Sequence, residues 1–222
     1  MEGSCEQDMI VRRRPGNRMS LRLLPDGQVQ VTAPPGEDIT DFLEKNREWI
    51  KKRKNRLEMY CRGHEHQRDR LLLDGSYYDL SSGCIPSLDD DAKVATYVSP
   101  TDLFRMLRQR LHENAESLVL HHSGVMGLRC RGIQIRRQRS RWASCSLRGT
   151  LSLNLRIIAL PLNVREYVIV HELAHLKEAN HSPAFWAVVE RYYPHWKDAE
   201  HELKRFWFII ARNRIWKILE GC

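Results

Sequence analysis

No window of this 222-residue chain approaches the roughly 18 apolar residues of a membrane span, and its six cysteines (Cys5, Cys61, Cys84, Cys130, Cys145 and Cys222) include no C-x-x-C pair. The first absence argues against a membrane-spanning helix, and the second against a zinc ribbon or a compact disulfide framework, so reduced thiols are expected. The opening residues, MEGSCEQDMI, include acids and lack an apolar run of signal-peptide length, which leads us to expect a soluble, cytoplasmic protein with no membrane partner. There is no internal repeat or low-complexity tract, and no methionine follows Met126.

What is present is a core-forming share of apolar residues, 42%, and a net charge of +8. The basic residues cluster at Arg12 to Arg14, at Lys51, Lys52, Arg53, Lys54 and Arg56, and at Arg136, Arg137, Arg139 and Arg141. Such clusters favour polyanions, whether phosphates, nucleic acid or acidic protein segments, although a solvated basic face accounts for any one of them equally well.

Residues 1–98 read as a mainly β unit with one helix. Met19, Leu21 and Leu23 alternate up to Pro25-Asp26-Gly27, and Val29 and Val31 alternate after it, which predicts a hairpin. Ile39, Phe42, Leu43, Trp49 and Ile50 follow helical spacing, and Asp74-Gly75 marks a second hairpin. The acidic run within residues 88–102 reads as the join. Ser99 as N-cap, Pro100 and Asp102 then open a long helix with Leu103, Phe104, Leu107, Leu111, Ala115, Leu118 and Val119 on one face, ended by Gly124 and Gly127. Strands are predicted around Ile133 and Ile135 and across Leu151, Leu153 and Leu155. Asn163 is the expected N-cap of a helix from Val164 to about Glu178, Ser182-Pro183 starts another, and a final helix is expected from about Lys197 to Leu219. The fold class is α+β.

The chemistry concentrates in HELAHLKEANH, which holds three histidines and a glutamate in the eleven positions from His171 to His181. Four residues apart on a helix, His171 and His175 project from one face and can bind a single ion. Glu172 flanks them, where it can hold a water acidified by that ion. By composition, H-E-x-x-H arises in roughly three of a hundred shuffled chains, and requiring His181 lowers this to about one or two in a thousand. Asn180, which tolerates a left-handed backbone, is placed to turn His181 back toward the ion. Glu190, Glu200 or Glu202 could supply an oxygen ligand instead. His201-Glu202 repeats the start of the motif with Arg205 where a second ligand would stand, and His121 and His122 sit near a helix end, where a cation suits the dipole.

The spacing of His171, Glu172, His175 and His181 is that of metzincins, but Glu178 stands in place of their turn glycine and no methionine turn can follow. The runs RWASCSLRGTLSLNLRII and YVIVHELAHLKEANHSPAFW instead resemble the YgjP-like family, also called the domain of unknown function 45 family and grouped with zinc metallopeptidases. Its usual pattern is R-W-G-S-C-S, a strand containing L-N, then H-E-L-x-H and N-H-S-x-x-F-W; Ala143 here departs from the glycine. The H-S-x-x-F segment also resembles SprT-like proteases.

The resemblance implies a zincin-like core over residues 99–222, with a small sheet packed on the H-E-x-x-H helix and further helices. It further implies one zinc ion on His171, His175 and His181, Glu172 as general base, and a protein or peptide substrate. Arg141, Trp142 and Asn154 are expected near the cleft or an anion, and Tyr192, Tyr193, His195 and Arg141 are candidates for oxyanion stabilisation. The strand near Leu151 to Leu155 could offer an edge to an extended peptide. A bacterial member of the family has been assigned action on UTP, so a nucleoside triphosphate pyrophosphohydrolase is the alternative, with the Arg136 to Arg141 run holding the phosphates. A nucleic-acid-binding module with a structural metal is the third reading. An open fourth position beside Glu172 favours catalysis over it.

Overall fold

The computed structural model describes residues 9–138 and 140–221, so Cys5, Arg139 and Cys222 lie outside the described residues. Three strands, β1 (Met9–Arg13), β2 (Ser20–Leu23) and β3 (Val29–Ala33), form a sheet in the order β1-β3-β2. The β2-β3 hairpin is the one that the alternation predicts, with Leu21 opposite Val31 and Leu23 opposite Val29. β1 pairs in parallel with β3. Two helices follow, α1 (Thr40–Lys45) and α2 (Arg47–Cys61), interrupted at Asn46, whose side-chain amide donates to Phe42 O at 2.8 Å. Leu57, Tyr60 and Cys61 of α2 are buried, whereas Lys51, Lys52, Arg53 and Arg56 are exposed, so that basic cluster is a solvated helix face. These elements, up to His66, form one compact unit together with Trp207–Arg212.

The second unit comprises Gln67–Phe206 and the chain from Asn213, and the expected boundary between residues 98 and 99 falls inside it. It opens with β4 (Leu71–Leu73), β5 (Ser76–Ser82), β6 (Ser87–Asp89) and β7 (Val94–Tyr97), in the order β4-β5-β7-β6. The acidic run expected to be a linker is the tip of the β6-β7 hairpin. Asp89 Oδ1 accepts from the amides of Asp91 (3.0 Å) and Ala92 (2.8 Å), which closes the turn. The long helix α3 (Pro100–Met126) is capped as predicted by Ser99, passes through Gly124, and ends at Gly127 in the left-handed conformation.

A second sheet contains β8 (Gly132–Arg136), β9 (Ala143–Cys145) and β10 (Thr150–Asn154), with β10 in the centre, parallel to β8 and antiparallel to β9. β10 therefore has no free edge, contrary to expectation; β9 does. The remaining helices are α4 (Leu162–Ala174), α5 (Pro183–Tyr192), α6 (Trp196–Arg212) and α7 (Arg214–Gly221), with the last turns of α6 in the first unit. Asn213 splits the expected terminal helix because its amide donates to Arg70 O (2.8 Å) while its Oδ1 caps Trp216 N (3.0 Å). No helix among the described residues is long and apolar enough to cross a membrane.

The start of α4 is set by tertiary anchors, and Asn163 is not its N-cap. The helix begins at Leu162 after Pro161, whose carbonyl accepts from Arg165 N at 3.0 Å. The Arg165 guanidinium is buried and donates to the carbonyls of Ile158 and Leu160 (3.0 Å each), to Asn114 and to the carboxylate of Asp74. Asp74 lies at the β4-β5 turn with φ 50° and also receives Arg110 at 2.7 Å. Beside it, Gly75 has φ 77°, and a Cβ there would lie 2.8 Å from the Pro161 ring, so only glycine lets the turn approach the helix start.

Asp74→Asn keeps this turn conformation, which Asn tolerates, but strips the buried guanidinium of its counter-charge. Urea unfolding is expected to register a loss of about 3 kcal/mol or more.

Candidate metal centre

α4 delivers His171 and Glu172 in its last turn and His175 at its C-cap, and its last residue, Ala174, falls four residues short of the expected end. The chain continues in tight turns, with Lys177 N donating to Ala174 O (2.9 Å) and Ser182 N to Asn180 O (2.7 Å). Asn180 does not take the expected left-handed conformation; among the described non-glycine residues only Asp74 and Lys93 do. The short Asn180 to Ser182 bond makes the reversal instead, and Ser182 then caps α5 through Phe185 N at 3.3 Å.

This path brings the three histidines together. One potential ligand atom from each of His171, His175 and His181 lies within 4.8 Å of the others, and His171 Nε2 is 3.0 Å from His181 Nε2. They are the single such group of metal-ligating side chains among the described residues, so neither His201-Glu202 nor the Cys61, His64 and His66 stretch forms one. The fully buried Phe185 ring lies against all three, with centroids 4.9 Å from His171, 4.6 Å from His175 and 4.8 Å from His181. Trp186 stacks on His181 at 5.8 Å and on Trp196 at 4.2 Å. Tyr167 meets His171 edge-on, its hydroxyl 3.3 Å from Nδ1.

Burial, reinforced by His175 and His181, pushes the His171 imidazolium down to about 3, and burial also lowers His175. A neutral imidazole exposes a lone pair, and three histidines that converge beside the Phe185 ring fit a divalent cation of the zinc type. Glu172 is buried beside them. Loss of solvent pushes its carboxyl up to about 7, partly opposed by the Cys145 backbone amide, which donates to it, and by the charge of Arg141.

A cavity of about 390 Å³ opens over the three histidines and Glu172, walled by Arg141 and by residues 143–147. Cys145 lines it with a thiol pushed up to about 11 by burial and the neighbouring carboxylate. The four described cysteines, Cys61, Cys84, Cys130 and Cys145, are all free thiols.

Arg141 is thus at the cleft, but Trp142 and Asn154 do not line it. Asn154 is buried and fully engaged, its amide donating to Gln138 O (2.7 Å) and Arg141 O (2.9 Å) while its Oδ1 accepts from Arg156 N (3.2 Å). It pins the loop that carries Arg141 and borders a separate cavity of about 520 Å³.

The basic run does not gather around the histidines. Arg136 bonds Gln134, and Arg137 lies over the Phe104 ring, leaving Arg141 as the one described cation of the cleft wall. Of the oxyanion candidates, Tyr192, Tyr193 and His195 are also absent from the wall; the Tyr193 hydroxyl donates to Asn163 O at 2.9 Å. His122 is not a solvated end-of-helix cation: it is buried, 2.8 Å from Glu166.

Tyr167 is the contributor that the motif does not announce, and its place four residues before His171 on α4 is the signal that could have found it; Phe185 belongs to the H-S-x-x-F segment, which did not show that its ring would back all three histidines.

A family model described as YgjP-like, metallopeptidase domain, matches residues 17–206. No curated protein matches this chain. Among solved structures, the metallopeptidase zymogen of Pyrococcus abyssi abylysin is similar at 30% identity, over 40% of this chain and 90% of that one, with a TM-score of 0.38. With the matched region spanning most of its length and containing all three histidines and Glu172, this chain belongs to the YgjP-like metallopeptidase-domain family.

Proposed function

We propose that the protein is a zinc metallopeptidase with a zincin-like core, holding one ion on His171, His175 and His181 and using Glu172 as general base. The observation that carries this reading is the convergence of three imidazoles beside a buried carboxylate that faces the same cavity. A bound zinc ion supplies a Lewis acid that polarises a carbonyl and acidifies water.

The chain's own groups do the rest. The Cys145 amide orients the Glu172 carboxylate. From there Glu172 accepts a proton from the attacking water as the new C–O bond forms, and then returns it to the departing amine as the C–N bond breaks. Arg141 is the cleft cation placed to stabilise negative charge developing on the substrate oxygen. β9 borders the cavity as an edge strand among the described residues, so an extended peptide can add alongside it through groups other than the Cys145 amide, which Glu172 occupies.

A triphosphate substrate draws less support, because a single described guanidinium faces the cleft where three phosphates would need several. The open fourth position and the adjacent carboxylate likewise disfavour a purely structural metal.

Glu172→Gln is expected to retain zinc and to lose at least about 100-fold in cleavage of a peptide library read by mass spectrometry. Unchanged cleavage by this variant would contradict the mechanism, and UTP consumption with no peptide cleavage would shift the substrate to nucleotides. Replacing His181 with Ala removes the ligand that lies beyond α4 and its C-cap and is expected to lower bound zinc, measured by elemental analysis after gel filtration, from about one ion per chain to well under half.

A further inference from the structure

His171 and His175 differ in what holds the ring nitrogen that points away from the centre. His175 Nδ1 lies 3.3 Å from Glu178 O, which can only accept, so its proton sits on Nδ1 and Nε2 is bare. His171 Nδ1 faces the Tyr167 hydroxyl at 3.3 Å, which can accept or donate. The choice matters because His171 Nε2 is the nitrogen on the converging side, 3.0 Å from His181 Nε2. A proton there would occupy the position that a metal needs.

We propose that Tyr167 is a positioning residue for the metal centre: its phenol oxygen accepts the Nδ1–H of His171 and so fixes the tautomer whose bare Nε2 faces the ion. This rests on the metal-centre reading above. Tyr167 stands one helical turn before His171 on α4, which puts both side chains on one face.

Its ring is almost fully buried, meets the imidazole edge-on at 5.7 Å and packs on Tyr193 at 5.6 Å, so the hydroxyl cannot swing away. Burial and the charges of Glu200 and Glu172 keep the phenol un-ionised. Through α4, the outer partner of His171 is thus a phenol, while that of His175 is a backbone carbonyl supplied by the following turn.

Competition of the wild-type protein, Tyr167→Phe and Tyr193→Phe with a fluorescent zinc chelator tests the assignment. Tyr193→Phe removes a phenol hydroxyl from the same aromatic cluster without touching His171, and so reports a merely structural loss. Tyr167→Phe is expected to bind zinc about 10- to 100-fold more weakly, with Tyr193→Phe close to wild type. Tyr167→Phe within about twofold of wild type, or equal losses in both variants, would overturn the proposal.

A wild-type protein that binds no zinc would instead strike the metal-centre reading itself. If Tyr167→Phe fails to fold, long-range proton–nitrogen correlation spectra of the metal-free wild type decide the matter: His171 protonated on Nδ1 is expected, and protonation on Nε2 overturns the assignment.

Discussion

Three imidazole rings lie 4.6 to 4.9 Å from the centroid of one buried phenylalanine, and three basic groups can be held that close only while they stay uncharged or share a cation. Phe185 therefore works in two ways. It helps to bury His171 and His175, whose charged forms burial disfavours, and it packs against all three rings where they converge. Glu172 experiences the same dryness with the opposite sign, and burial raises its affinity for a proton. Burial thus acts on both halves of the chemistry, with opposite sign on the imidazoles of His171 and His175 and on the carboxyl of Glu172.

That surface is useful only if α4 is fixed, and the fixation comes from outside the motif. Arg165 ties the first turn of α4 to the 155–160 segment, to α3 through Asn114 and to the β4-β5 turn through Asp74. The same turn is joined to the 155–159 segment by backbone bonds from Asp74 N to Ile158 O (2.9 Å) and from Gly75 N to Ala159 O (3.0 Å). A buried charge with several partners is costly to break, so the helix cannot rotate about its axis without leaving the guanidinium unpaired. Rotational fixation is what a site built from three rings on two segments requires.

Features governed by neighbours in the chain were legible in advance. Ser99 and Ser182 cap α3 and α5 as read, because a hydroxyl three residues before an unpaired amide needs no distant partner. Both hairpins followed from their turns. The histidine trio was legible because two ligands share a helix face and the third lies one short turn away.

Long-range partners were not legible. Asn163 carries a good local capping signal, yet Pro161 and the anchors of Arg165 move the helix start ahead of it. β1 finds its partner across the β2-β3 hairpin, and β9 is three residues long, too short to show a period. Asn154 was placed near the cleft from its motif, but a buried amide must satisfy its donors, and it does so on Gln138 O and Arg141 O.

Zinc K-edge X-ray absorption on the zinc-loaded wild-type protein tests the centre most directly, because it counts donor types without reference to any substrate. The account predicts three imidazole nitrogens, one further light donor and no sulfur, with the Cys145 thiol in the cleft wall but outside the ligand set. A sulfur shell, or fewer than three imidazoles, would contradict it.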